Sequence, residues 1–316
     1  MATAPTLEQI REARSVITGA AIRTPLVRLN AFDAPAEIYL KLENLQPIGS
    51  FKIRGAANAI AQAPSSRLAR GVFTASAGNM AQGVAWRARE LGIPCTAVVP
   101  DHAPETKLAA IKRLGAQIVK VPFDVWWQVM VTHRFEGLEG LFIHPVSDTA
   151  VMAGNGTIGL EILEDLPDVE TVLIPYGGGG LSAGIASAVR ALKPGVNVFA
   201  CEVETAAPLA AAFAAGEPKE IDFTPSFVDG IGGKSVLAEM WPLVSRLLDG
   251  SLVASLIAVA SALRLLAERN RVIAEGAAAV PVAAAVSGKA GGGKIVCVVS
   301  GGNIDLHKLC SLLIEH

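Results

Sequence analysis

The chain has no two cysteines close enough to form a CxxC motif. Cys95, Cys201, Cys297 and Cys310 are scattered, so a disulfide framework or a redox pair is not expected, and they read as reduced core thiols. No signal-peptide pattern opens the sequence, and a cytoplasmic location is the expectation. Charge is sparse: 18% of residues are charged and the net charge is −2. With no basic block and almost no interleaving of aromatic and basic residues, a nucleic-acid partner is excluded. The five histidines show no HxxxH or HExxH spacing, which argues against a protein-built zinc site. No GxSxG elbow occurs. Two GK dipeptides fail as phosphate-binding P-loops, because Lys294 is followed by Ile295 and Val228 stands where the other would need glycine. The longest charge-free run, Thr171 to Val189, is broken by Pro175 and four successive glycines. It therefore cannot be one membrane-spanning helix, and no membrane partner is expected.

Hydrophobic residues are abundant, at 51%. A sizeable core is available and disorder is excluded. At 316 residues the chain could form two domains or one large α/β domain. Thr6 to Thr18 reads as a surface helix, and Glu37 to Leu42 alternates like a strand. A regular series follows. Strands are expected at 71–75, 96–99, 117–121 and 141–143, and helices at Met80–Leu91, Glu105–Leu114 and Trp126–Phe135. A second series has helices at Ala150–Leu166 and Ser182–Leu192, with strands at 172–175 and 196–201. Helices in the region Val253–Asn270 and at Ala274–Val286 precede a last strand at 294–299. Such alternation predicts parallel sheets flanked by helices, in two lobes with the early series the smaller.

Ligands of open parallel sheets bind at the carboxyl ends of the strands. Four conspicuous loops fall at expected strand ends: Ser76-Ala77-Gly78-Asn79, His144-Pro145, Gly177-Gly178-Gly179-Gly180 and Ser300-Gly301-Gly302-Asn303. The tetraglycine between strand and helix reads as an anion cradle, since its backbone N–H groups can turn inward at a helix start. A plain tight turn is the simpler alternative. Gly178-x-Gly180-x-x-Ala183, with Glu202 after the next strand, also fits a loose dinucleotide fingerprint. Lys52 lies in Gly49-Ser50-Phe51-Lys52-Ile53-Arg54-Gly55-Ala56, where a loop becomes an alanine-rich helix. Ser50 is expected to cap that helix. Apolar neighbours and the positive end of the helix dipole both disfavour an ammonium ion there. A lysine of lowered pKa suits imine chemistry, although this stretch alone fits a solvated lysine better.

Lys41-Leu42-Glu43-Asn44, the Lys52 stretch, Ser76 to Asn79 with Gln82-Gly83-Val84-Ala85, Ala153-Gly154-x-Gly156-Thr157, the tetraglycine, Asp229-Gly230 and Ser300 to Asn303 occur in this order. The chain thereby resembles the fold-type II pyridoxal-phosphate enzymes (tryptophan synthase β-like), in the branch of threonine/serine dehydratases and serine racemase. The resemblance runs from about Thr24 to Leu306. It implies a large cofactor-binding domain of residues 1–69 and 148–316 and a small substrate-side domain of residues 70–147. Lys52 would carry pyridoxal phosphate and move protons at Cα. Phe51 would lie against the pyridine ring, Asn79 would bond its phenolic oxygen, and Ser300 would face its nitrogen. Gly177, Gly178, Gly179, Gly180 and Leu181 would hold the phosphate, while Ser76, Ala77, Gly78, Asn79, Met80 and Trp127 would meet a small amino-acid substrate. A homodimer is implied, and the regulatory domain of biosynthetic threonine dehydratases is expected to be absent.

Three departures refine this. Ala77 stands where the branch's racemases carry serine, which favours elimination over the racemase alternative. Met80 replaces a family histidine, and Trp126-Trp127 stand near a substrate-binding arginine of serine racemase. An apolar pocket for a phenylserine-like substrate is one consequence, ahead of threonine or serine; simple packing of the small lobe is the other. Glu202 matches one acidic ligand of the family's divalent-metal site, but Pro208 occupies the place of another, so no metal is assigned. The expected function is dehydration and deamination of a β-hydroxy-α-amino acid, the cofactor carrying the chemistry. Purified protein should then show a visible absorbance band that is lost in Lys52→Ala. A colourless protein that binds NAD would point instead to the dinucleotide reading.

Overall fold

The computed structural model describes residues 2–314. In chain order its strands are β1 (Leu26–Arg28), β2 (Glu37–Leu42), β3 (Val72–Ala75), β4 (Cys95–Pro100) and β5 (Gln117–Val121). They continue with β6 (Leu141–Phe142), β7 (Thr171–Pro175), β8 (Asn197–Val203), β9 (Gly250–Ala254) and β10 (Lys294–Val299). Six form one sheet in the order β1-β2-β10-β7-β8-β9 and four form another in the order β5-β4-β3-β6. Every pairing is parallel except β1 with β2. The α/β class read from the alternation is therefore the observed one.

Each sheet has one point where its winding reverses. In the larger sheet β7 leads to β8 and β9 on one side, and β10 returns to the other. In the smaller, β3 leads to β4 and β5, and β6 returns. Crevices open at the carboxyl ends of strands flanking such a reversal. The tetraglycine and Ser300 follow β7 and β10, while Ser76 and His144 follow β3 and β6. All four conspicuous loops thus lie at the two reversal points.

The Lys52–Ala61 helix is buried along its length from Ile53 to Ile60. It crosses the Thr149–Asp165 helix so closely that a Cβ on Gly154 would lie 2.4 Å from the Arg54 carbonyl oxygen. A Cβ on Gly184, in the Gly180–Leu192 helix, would lie 2.3 Å from the Met152 carbonyl oxygen. The glycines of these helices are what let three backbones stack.

Arg54, almost fully buried, pins the first helix further. Its guanidinium donates to Glu43 (2.8 Å from both Nε and Nη2) and to Glu161 (2.7 and 2.9 Å). Lys41 Nζ lies 2.6 Å from Glu161 Oε2 and donates to the Thr24 carbonyl at 2.6 Å. Two buried cations thus face two buried carboxylates, and the charges of this cluster balance. Burial alone would raise the Glu43 pKa, yet the Arg54 charge and hydrogen bonds hold it below the ordinary carboxylate value.

Several expectations need correction. Ser50 does not cap the Lys52 helix: the helix begins at Lys52 with no side-chain cap, and the Ser50 hydroxyl is buried without a partner. Its backbone is committed elsewhere. Phe51 N–H donates to the Ser300 carbonyl at 3.0 Å and Gly302 N–H to the Gly49 carbonyl at 2.9 Å, which fixes how Ser50 faces. The helix expected at Trp126–Phe135 is Phe123–Thr132, ended by His133 in the left-handed region at φ 59°. β9 occupies the start of the region read as helical from Val253, and β1 and the Trp241–Leu247 helix were not anticipated. Cys310 is exposed, whereas Cys95, Cys201 and Cys297 are buried. A terminal helix spans Leu306–Ile314; His316 lies outside the described residues. No described helix is long and apolar enough to cross a membrane.

Arg54→Met leaves Glu43 without an ion-pair partner and Glu161 with Lys41 alone. It should lower unfolding stability by about 3–5 kcal/mol, as measured by urea denaturation.

Candidate active site

A cavity of about 420 Å³ opens between the two reversal points. Phe51, Lys52, Ser76, Ala77, Gly78, Asn79, Met80, Gly177, Gly178, Gly179, Gly180, Leu181 and Ser300 all line it. The structure therefore brings together every predicted site residue except one. Trp127 is 40% exposed and does not line the cavity. Because the helix begins at Phe123, Trp126 and Met130, one turn apart, face the cavity instead.

Lys52 is the first residue of its helix, and its Nζ donates to the Pro145 carbonyl oxygen at 3.0 Å. The same nitrogen stands 5.1 Å from the centroid of the Phe51 ring. Desolvation in the cavity wall lowers its pKa to about 8, against an opposing pull from Glu275. The Pro145 carbonyl is set by His144. The His144 Nδ1 accepts the N–H groups of Val146 (3.1 Å) and Ser147 (2.8 Å), which turns the loop tightly. Burial, reinforced by the adjacent His133 ring, lowers the His144 pKa to about 4 and keeps that nitrogen an acceptor. His144 itself does not reach the cavity; Pro145 and Val146 do.

Val146 also shapes the glycine loop. A Cβ on Gly178 would lie 2.5 Å from Val146 Cγ2, and one on Gly180 would lie 2.5 Å from the Val146 carbonyl oxygen. Gly179 has φ +100°, a conformation that side chains rarely adopt. Among the described residues, no protein oxygen accepts the N–H groups of Gly177 through Ser182. These amides sit at the start of the Gly180–Leu192 helix, where the macrodipole favours an anion. A plain tight turn would not leave so many buried donors open. The loop fits a phosphate.

The dinucleotide alternative fails at Glu202. Its carboxylate is fully buried and accepts from Leu209 N–H (2.8 Å), Ala210 N–H (2.8 Å) and Ser251 Oγ (2.6 Å). It caps the Pro208–Ala215 helix and is not free for a ribose. Among the described residues, no cluster of three or more His, Cys, Asp or Glu side chains is placed to hold a metal.

Sequence reasoning missed Glu275. It lines the cavity and is the sole charged residue between Ile273 and Val286, immediately before the buried Gly276–Val286 helix. A lone acid at the start of an apolar helix was the available signal. Burial raises its pKa to about 7, despite hydrogen bonds from Asn79. Asn303, quoted only as part of a motif, also lines the cavity.

A lysine of lowered pKa, a phosphate cradle and an amide and a hydroxyl between them describe a pocket for a phosphorylated aldehyde cofactor. The sequence model described as pyridoxal-phosphate-dependent enzyme matches residues 17–301. The chain belongs to this family of pyridoxal-phosphate-dependent enzymes, and pyridoxal phosphate is its cofactor. It is 41% identical to an L-threonine ammonia-lyase of Thermotoga maritima over 96% of this chain and 77% of that one. It is 38% identical to a catabolic L-threonine dehydratase of Staphylococcus aureus over 98% of this chain and 92% of the other. Its fold is similar to that of maize serine racemase, with TM-score 0.89, 33% identity and coverage of 99% and 98% of the two chains.

In the cofactor-stripped protein, Lys52 should be acylated with a midpoint near pH 8, well below the ~10.4 of an ordinary lysine. Peptide mapping by mass spectrometry after labelling across a pH series measures it. A midpoint at the ordinary value would contradict the desolvation argument.

Proposed function

We propose that the chain is an ammonia-lyase that removes water and then ammonia from small β-hydroxy-α-amino acids, threonine and serine foremost. The observation that carries this reading is the low-pKa Lys52 amine beside a phosphate cradle, in a chain 41% identical to a threonine ammonia-lyase. Pyridoxal phosphate, when bound, supplies the electron sink that acidifies the substrate's Cα–H. In this reading the free Lys52 amine takes up that proton, and the Pro145 carbonyl orients the amine. Phe51 would lie against the ring, Ser300 would face its nitrogen, and Asn79 would bond its phenolic oxygen. Amides from Gly177 to Leu181 bind the phosphate, while Ser76, Ala77, Gly78 and Met80 contact substrate. Loss of the β-hydroxyl as water, followed by hydrolysis, leaves a 2-oxo acid and ammonia.

Elimination is preferred to racemisation because Ala77 brings neither acid nor base to the cavity. Ser76, beside it, has its hydroxyl engaged by the Gly78 N–H at 3.2 Å. Residues 1–69 with 148–316 form the cofactor domain in this reading, and residues 70–147 the substrate-side domain. The separation of the two sheets supports that division. A cytoplasmic setting agrees with the free thiols, and a homodimer is carried by the family resemblance alone.

A finer reading is a preference for an aromatic β-substituent, such as the phenyl ring of 3-phenylserine. Its support is the apolar wall of Met80, Trp126 and Met130. Trp126, rather than Trp127, is the residue to alter.

Purified holoprotein should release equal amounts of 2-oxo acid and ammonia from threonine or serine, and Lys52→Ala should release neither. Racemisation without ammonia would overturn the assignment. Trp126→Ala should lower the phenylserine-to-threonine ratio of kcat/KM by about tenfold or more, while Trp127→Ala leaves it unchanged. An unchanged ratio in Trp126→Ala would remove the aromatic preference and leave the lyase reading intact.

A further inference from the structure

A carboxamide presents a donor on one side and an acceptor of almost the same shape on the other, so its usefulness depends on which way it is held. Asn79 is held from both sides. Asn303 Nδ2 donates to the Ile48 carbonyl oxygen at 2.8 Å and to Asn79 Oδ1 at 2.8 Å. The Ile48 carbonyl can only accept, so Asn303 must turn its amino group that way, and both of its hydrogens are then committed. Asn79 Oδ1 therefore faces Asn303. On the opposite side Asn79 Nδ2 lies 3.0 Å from Glu275 Oε1 and 3.2 Å from Oε2. One hydrogen shared between those oxygens leaves one N–H of Asn79 uncommitted. Glu275 keeps an accepting oxygen whether or not it is protonated, so this side of the clamp survives its titration.

The surroundings are cut to fit these two residues. Glu275 N–H donates to the Gly301 carbonyl at 3.0 Å, and a Cβ on Gly301 would lie 2.8 Å from Glu275 Oε1. A Cβ on Gly49 would lie 2.7 Å from Asn303 Oδ1. Lys107, which also lines the cavity, is paired with Asp229 at 3.0 Å. Glu275 is left to Asn79.

We propose that Glu275 and Asn303 are positioning residues that clamp the Asn79 carboxamide so that it offers its N–H, and not its carbonyl, to the phenolic oxygen of pyridoxal phosphate. This rests on the reading of Asn79 as the partner of that oxygen. A carbonyl turned toward the phenolic oxygen would set acceptor against acceptor, so the clamp acts on cofactor affinity and on the electronic state of the bound ring.

The test is a pyridoxal phosphate titration of cofactor-stripped wild type and four variants, followed by the visible band of the bound cofactor. Asn303→Asp cannot donate to Ile48 or Asn79 and should weaken binding by about ten- to a hundredfold. Asn303→Ala, which only removes the clamp, should lose less, and the band should shift in Asn303→Asp alone. Glu275→Gln still offers an accepting oxygen and should bind within about threefold of wild type, whereas Glu275→Leu should lose about tenfold. Asn303→Asp binding as well as Asn303→Ala, or Glu275→Gln as damaging as Glu275→Leu, would overturn the proposal. Should Asn303→Asp fail to fold by circular dichroism, the Glu275 pair decides. Failure of the wild type to bind would instead sink the cofactor reading itself.

Discussion

The Arg54 guanidinium lies two residues from Lys52 and grips two buried carboxylates, Glu43 just after β2 and Glu161 on the Thr149–Asp165 helix. A buried ion cluster is weak evidence for stability, because desolvation offsets most of the attraction. Its value here is geometric. The planar fork accepts few arrangements, so it fixes the Lys52–Ala61 helix against the large sheet and the neighbouring helix together. The same N-terminal end of the helix is also tied through Phe51 to Ser300. Lys52 is thus placed relative to the glycine loop, on the strand next to β10, and relative to Ser300, which directly follows β10. A shift of the helix would move the amine out of register with both, and misplacement of about 1 Å can cost two orders of magnitude in rate.

Within that frame, desolvation acts on two groups of opposite charge. It lowers Lys52 to about 8 and raises Glu275 to about 7. Each is brought closer to its neutral form near neutral pH, and each weakly opposes the other's shift. His144 complements them. Its depressed pKa leaves a neutral ring that organises the Pro145 loop without adding positive charge beside Lys52.

Much of this was legible in the sequence because it is local. Glycine runs, helix-ending glycines and the alternation of apolar segments report backbone geometry within a few residues, and they located the four loops. The failures share a cause: each depended on a partner distant in sequence. Ser50 has the chemistry of a cap, but pairing of its neighbours with residues 300–302 turned it away. Trp127 rests on its position in the family resemblance, whereas packing of the Phe123–Thr132 helix against β3 and β4 turns Trp126 and Met130 to the cavity. β9 is an edge strand that pairs only with β8, so nothing in its own pattern announced it. Glu275 stood alone in an alanine-rich run, and its meaning appears only when Asn79 is brought beside it.

The two reversal points also divide the work of the site. In the proposed reading the loops after β7 and β10 meet the cofactor, which is common to every substrate. Behind them stand helices buried on almost every face, Thr149–Asp165, Gly180–Leu192 and Gly276–Val286. In the proposed reading the loop after β3 and the Phe123–Thr132 helix face the part of the cavity that differs between substrates, and that helix buries only Val129. Substitution is costly where several backbones touch through glycine and cheap where a helix is half solvated. Specificity can therefore change at Trp126 and Met130 without disturbing the phosphate cradle or the Arg54 cluster, whereas Met80 is itself packed in the small-lobe core. Ala77 is the exception, since it adjoins Ser76 and Gly78 in the loop after β3 on the cavity wall, where in the proposed reading a change of side chain alters the chemistry as well as the fit.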